Sequence, residues 1–189
     1  MSEPADIDRP PEFSVPVEAD DVPSGGKTYR LEADEAARAA LAERLDLVAL
    51  DRLAGEVALR PLAGGPMLIA MGRVEAELAQ RCVVTLEPLP VSIKERFSVE
   101  YGPPEQESVE ETEREFTLDD PDPPEEIVNG RIDLGELLVQ RLAVLLDPHP
   151  RKAGVDMSTA LDDVPAGRRA AIEEEEPAGP FAALSKLKK

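Results

Sequence analysis

The sequence contains no tryptophan, and its aromatic complement is four Phe and two Tyr in 189 residues. A core must therefore be assembled from Leu, Val, Ile and Ala, and little material remains for stacking the bases of single-stranded nucleic acid. Cysteine occurs once, at Cys82. That excludes an internal disulfide and leaves a four-ligand zinc site short of its usual donors. Histidine also occurs once, at His149. It lies in Leu-Asp-Pro-His-Pro, where a histidine serves as a solvated turn residue or a helix-terminus partner rather than a general base. No Gly-x-Ser-x-Gly elbow occurs, and the Gly64-Gly65-Pro66 run has no following Lys-Ser/Thr to cradle phosphate. These gaps argue against an enzyme, and no cofactor or metal is expected. No stretch approaches the ~18 continuous apolar residues of a membrane span. The acidic, Pro-rich start lacks the basic and apolar regions of a secretory signal, so the expected address is cytoplasmic.

Positive charge is scarce as well: 21 Lys and Arg face 40 Asp and Glu, for a net charge of −19. The basic excess of a direct nucleic-acid binder is missing, and the overall field attracts basic proteins. The acids are concentrated. Residues 100–126 hold twelve of them against one base, Arg114, and supply −11 of the −19. Pro103, Pro104, Pro121, Pro123 and Pro124 fall in the same stretch, so residues 103–126 read as an acidic, Pro-rich, disordered loop. The alternation of Phe116 and Leu118 with Glu115 and Thr117 leaves room for a short strand within it. Paired carboxylates such as Glu110 and Glu111 lack the shaped pocket that acid–base catalysis needs. The alternatives are a solvated charge run or a surface for a basic partner.

The rest divides into a flexible start (1–12), one domain (13–150) and a mobile tail (151–189). The tail balances seven bases against seven acids. It ends in Phe181, Leu184 and Leu187, a short amphipathic turn that is either a frayed terminus or a docking peptide. Within the domain, Phe13, Val15 and Val17 alternate as a first strand, with Pro16 placing it at an edge. The segment 22–29 turns the chain. The run 31–48, rich in strong helix formers, predicts a helix with Ala37, Leu41, Leu45 and Val48 on one face. The period then changes to two. Val57 and Leu59 oppose Glu56 and Arg60, and Leu68, Ala70, Val74, Ala76 and Leu78 oppose Arg73, Glu75, Glu77 and Arg81. Gly72 marks a bend or bulge. Cys82 ends this strand on the Val74/Leu78 face, as a small buried hydrophobe. Val91, Ile93, Phe97, Val99 and Tyr101 form a further alternating strand interrupted only by Glu95. Asp133 caps a second helix with Glu136 as capping-box partner. Its stripe is Leu134, Leu137, Leu138, Leu142 and Leu145, widened by Val139, Val144 and Leu146. Pro148 and Pro150 end it. The fold class is α+β: a mainly antiparallel sheet, open or curled toward a barrel, with two main helices.

This order of elements resembles the YceD family of large ribosomal RNA subunit accumulation proteins, in particular its alphaproteobacterial-type members. The resemblance is carried by FSVPV at 13–17, LEADEAARAALAERLDLVALDRL at 31–53, VEAELAQRCVVTLEPLPVSIKERFSVEY at 74–101 and EEIVNGRIDLGELLVQRLAVLLDPHPRK at 125–152. The tail's PFAALSKLK adds to it. It implies a non-catalytic ribosome biogenesis factor that promotes accumulation of 23S ribosomal RNA. Many members have Cys-x-x-Cys where this chain has Cys82 and Thr85, and further cysteines near His149, Arg151 and Lys152. Their loss here argues against a zinc-bound form. The expected partner is a basic large-subunit ribosomal protein or a pre-ribosomal particle, met by Glu105, Glu107, Glu110, Glu111, Glu113 and Glu115. The alternative is direct RNA contact through the outward Arg73, Arg81, Lys94 and Arg96.

Overall fold

A computed structural model describes residues 11–63, 65–103 and 123–155. The chain forms two compact units. The larger comprises Met1–Gln80 and Pro90–Pro148, the smaller Arg81–Leu89 and the chain from His149 onward.

The elements run β1 (Pro16–Glu18), a 3-10 turn (Ala19–Asp21), β2 (Lys27–Glu32), α1 (Glu35–Arg44), β3 (Ala49–Pro61), β4 (Leu68–Arg81), β5 (Pro88–Gly102), β6 (Glu125–Glu126), β7 (Arg131–Asp133) and α2 (Leu134–Leu145). Five strands form one sheet in the order β2-β3-β4-β5-β6, and β1 pairs with β7 in a separate two-stranded ribbon. The α+β class holds, but the barrel alternative does not. A barrel needs its first and last strands to pair, whereas β2 and β6 remain the two edges of an open sheet. Helix α2 covers the inner face instead: a Cβ on Gly55 would lie 2.7 Å from Leu138 Cδ2.

The strand periodicity is realised. Leu68, Ala70, Val74, Ala76 and Leu78 are buried, while Arg73, Glu77 and Arg81 are exposed. β3 and β4 pair antiparallel with regular register from Arg52↔Glu77 to Pro61↔Leu68. The irregularity lies between Leu50 and Arg52, not at Gly72. Gly72 is small for another reason: a Cβ there would meet Phe97 Cζ at 2.7 Å. The ring takes the place that a side chain on residue 72 would fill.

Several boundaries differ from the sequence expectation. The first strand spans Pro16–Glu18, later than 13–17. Lys27–Glu32, read as turn and helix start, is strand β2, because pairing with β3 (Tyr29↔Val57, Leu31↔Gly55) overrides the local helix formers. Helix α1 therefore begins after Asp34, whose side chain accepts the N–H of Ala37 at 2.8 Å. It ends at Arg44, with Asp46 in the left-handed region (φ 51°). Ala37 and Leu41 are buried, but Val48 lies beyond the helix and is exposed. In α2 the stripe holds through Leu142 and Val139, then fails. Val144 is 79% and Leu145 38% exposed, while Leu146 is half-buried against the core. Glu136 makes no capping box; its carboxylate takes Arg44 Nη1 and Nη2 at 3.0 and 2.8 Å. Asp133 caps as expected, and also ties β1 to α2. Among the described residues, no helix is long and apolar enough to cross a membrane.

Candidate functional site

Glu105, Glu107, Glu110, Glu111, Glu113 and Glu115 lie outside the described residues, as do Phe116 and Leu118 and the amphipathic end at 181–189. The structure does fix where the acidic segment leaves and returns. It departs after β5 and re-enters as β6, which pairs in parallel with the end of β5 (Tyr101↔Glu125, Gly102↔Glu126). A Cβ on Gly102 would be 3.4 Å from Pro124 Cγ, so the two ends of the excursion are within van der Waals distance. Beside them opens a cleft of about 320 Å³ whose walls include Tyr101, Glu125, Glu126, Val128 and Arg131. Arg141 Nη2 donates to Glu125 at 2.8 Å, while its buried Nε finds no protein partner. Burial and the neighbouring Glu125 push the Tyr101 phenol above its ordinary range.

Three of the four basic candidates belong to the larger unit. Arg73, Lys94 and Arg96 are on the outer face of the sheet and exposed. They are interleaved with acids. Arg52 reaches Glu75 at 3.0 Å and Arg73 reaches it at 3.8 Å, and Arg30 pairs with Glu56 at 3.2 Å. The hydrogen bond from Arg52, with the charges of Lys94, Arg52 and Arg73, holds the Glu75 carboxyl below its usual range. The shallow cleft of about 220 Å³ on this face is lined by three arginines and three glutamates. Such a surface alternates in sign. Arg81 belongs to the smaller unit.

In that unit two loops meet on one sulfur. Cys82 is fully buried, as expected of a small core residue, but its sulfur also accepts hydrogen bonds. The N–H of Thr85 donates to Sγ at 3.4 Å and that of Lys152 at 3.5 Å. Val83 N–H donates to Pro150 O at 2.9 Å, and Cys82 N–H to Glu87 O at 2.9 Å. The Lys152 ammonium reaches Glu87 at 2.8 Å, and the Thr85 hydroxyl donates to the same carboxylate at 3.3 Å. Leu86 completes the turn in the left-handed region (φ 61°). Positions 82, 85 and 152 therefore converge through backbone N–H groups on the sulfur, while the Thr85 and Lys152 side chains turn to Glu87. N–H groups and an ion pair close the two loops.

Thr85, through its hydroxyl and its N–H, and then the Lys152 N–H pull the Cys82 thiol down to about 6, while burial opposes them. A thiol depressed in the folded state contributes stability above its unfolded value of about 8.5 and loses it as pH falls through about 6. Thiolate absorbance of the folded protein, set against a Cys82→Ser control, is expected to titrate with a midpoint near 6. A midpoint at or above about 8.5 would remove the thiolate from this account.

Sequence reasoning missed the Thr85–Lys152 convergence because both contacts come from backbone N–H groups. Comparison with curated proteins gives no match, and comparison with solved structures gives none. The family model described as large ribosomal RNA subunit accumulation protein YceD matches residues 70–188. The match takes in most of β4, both loops around Cys82, strands β5 to β7 and helix α2, more than half of the chain, and the chain belongs to the YceD family.

Proposed function

We propose that this protein is a non-catalytic, cytoplasmic ribosome biogenesis factor. It promotes large-subunit (23S) ribosomal RNA accumulation by binding a basic ribosomal protein through its acidic segment. The observation that carries this is the concentration of −11 in residues 100–126, an excursion whose ends are pinched together at Gly102 and Pro124. A charge of −11 within one short stretch of sequence attracts a basic partner. Exposed charges are screened over about 8 Å at physiological salt, so binding weakens steeply as salt rises.

The alternative, RNA contact through the sheet residues Arg73, Lys94 and Arg96 with Arg81, gains little support. Glu75 reaches Arg73 at 3.8 Å and interacts with the charge of Lys94, so the phosphate-binding capacity of these two cations is reduced.

The test replaces Glu105, Glu107, Glu110, Glu111, Glu113 and Glu115 with Gln in the full chain. Binding to purified basic large-subunit proteins is then measured at low and moderate salt. Loss of binding by at least about a hundredfold at low salt is expected, because each removed charge weakens a multiply charged contact. Unchanged affinity would exclude the acidic segment as the binding surface.

A further inference from the structure

Among the described residues of this acidic chain, the smaller unit is where bases outnumber acids. Its segments 81–89 and 149–155 contain Arg81, Arg151 and Lys152 against Glu87 alone. In the larger unit Arg30, Arg44, Arg52, Arg73, Arg131 and Arg141 each reach a carboxylate, whereas Arg60, Lys94 and Arg96 have no ion pair among the described residues. Arg81 and Arg151 are exposed and have no ion-pair partner among the described residues.

Their positions are fixed by the stitched loops. Arg81 directly precedes Cys82, and Arg151 lies between Pro150, whose carbonyl accepts from Val83, and Lys152, whose N–H donates to Cys82 Sγ. Both guanidinium stems thus spring from backbone pinned around the same sulfur. Between them the turn exposes two apolar side chains, Val83 at 47% and Leu86 at 65%. Leu86 sits in the left-handed region (φ 61°) and projects its side chain into solvent.

We infer that this Cys82-centred knuckle is an RNA-contact surface, with Arg81 and Arg151 taking phosphate oxygens and Val83 and Leu86 lying against sugar and base edges. A large ribosomal subunit offers an assembly factor basic proteins and phosphate-rich RNA. A basic knuckle is repelled by the first and attracted by the second. This goes beyond the acidic-segment reading and uses none of its residues, so either can fail alone.

The first test is fluorescence anisotropy with a labelled RNA hairpin bearing a single-stranded loop, titrated with the full chain at low salt. The Arg81→Ala/Arg151→Ala double variant is expected to bind at least about tenfold more weakly. Its log affinity against log salt should flatten by about 1.4–1.8, some 0.7–0.9 per lost phosphate contact. Arg81→Lys/Arg151→Lys should keep the slope. An Arg73→Ala/Lys94→Ala control should stay within about twofold of wild type. No RNA binding by the wild type at low salt, an unchanged double variant, or an equal loss in the sheet control overturns the proposal. The second test places a photo-crosslinking residue at position 86 in growing cells. An adduct digested by RNase is expected; an RNase-resistant protein adduct overturns the proposal and assigns the knuckle to a protein partner.

Discussion

Asp133→Ala is expected to destabilise the protein by roughly 2–3 kcal/mol, far more than loss of an ordinary helix cap at about 1. One carboxylate serves two structures. Its Oδ1 accepts the N–H groups of Gly135 and Glu136 at 2.9 and 3.1 Å, capping α2. The same oxygen accepts Val15 N–H at 2.8 Å, and Oδ2 accepts the Ser14 hydroxyl. Leu134 N–H returns a bond to Val15 O at 3.0 Å. Alanine removes every acceptor and leaves partly buried N–H groups to compete for water. Hydrogen bonds to a charged group are worth more than neutral ones, which lifts the cost above a simple capping loss. Asp133→Asn keeps one oxygen and should cost about half as much. Urea unfolding is the measurement, with a shifted midpoint at constant slope. Faster amide exchange at Val17 and Ile132, paired across the ribbon, should accompany it. An alanine variant that unfolds at the wild-type midpoint would show that water replaces the carboxylate at no cost.

Asp133 also shows what the sequence could and could not convey. Its capping role was legible, since an Asp before Leu-Gly-Glu and a leucine stripe is a local pattern. Its hold on Ser14 and Val15 was not, because those residues lie 119 and 118 positions away. Glu136 illustrates the same limit from the other side. The local pattern assigned it to the cap, but Arg44, 92 residues distant, captures its carboxylate. The guanidinium between Glu136 and Glu12 is held above its ordinary range, with hydrogen bonding to Glu136 the first cause. Strand faces were legible wherever alternation was long, as in β4 and β5. Strand β2 was hidden because its inward set amounts to Tyr29 and Leu31 beside a run of helix formers, so pairing with β3 decides its state. At the candidate surfaces, composition located the acidic segment. The mixed signs around Glu75 emerge only once β3, β4 and β5 are side by side, since Arg52, Arg73 and Lys94 are scattered along the chain.

A large effect is also expected at Gly55. Gly55→Val should cost roughly 3–4 kcal/mol, at the upper end of overpacking penalties. The reason is close approach rather than backbone conformation. A Cβ would lie 2.7 Å from the Arg73 carbonyl oxygen and 2.7 and 2.8 Å from the two Leu138 methyls. Leu138 has no exposed surface and cannot swing clear, and the carbonyl belongs to β4, which is locked in register with β3 by Gly55↔Val74. Relief therefore requires α2 to lift from the sheet. Leu138→Ala alone should cost about 2–5 kcal/mol through the cavity it leaves. Combined with Gly55→Val, the two should cost about 1–2 kcal/mol less than their separate losses together, because the valine methyls enter the space the leucine vacates. The residual penalty measures the contact with the Arg73 carbonyl, which no change at position 138 removes. Strict additivity in chemical denaturation would mean that Leu138 does not cover Gly55. Since β4 carries Arg73 and Glu75 on its opposite face, a shift of this strand should also disturb the ion pairing there. The double-mutant cycle therefore reports on how firmly α2 sets the sheet surface available to a partner.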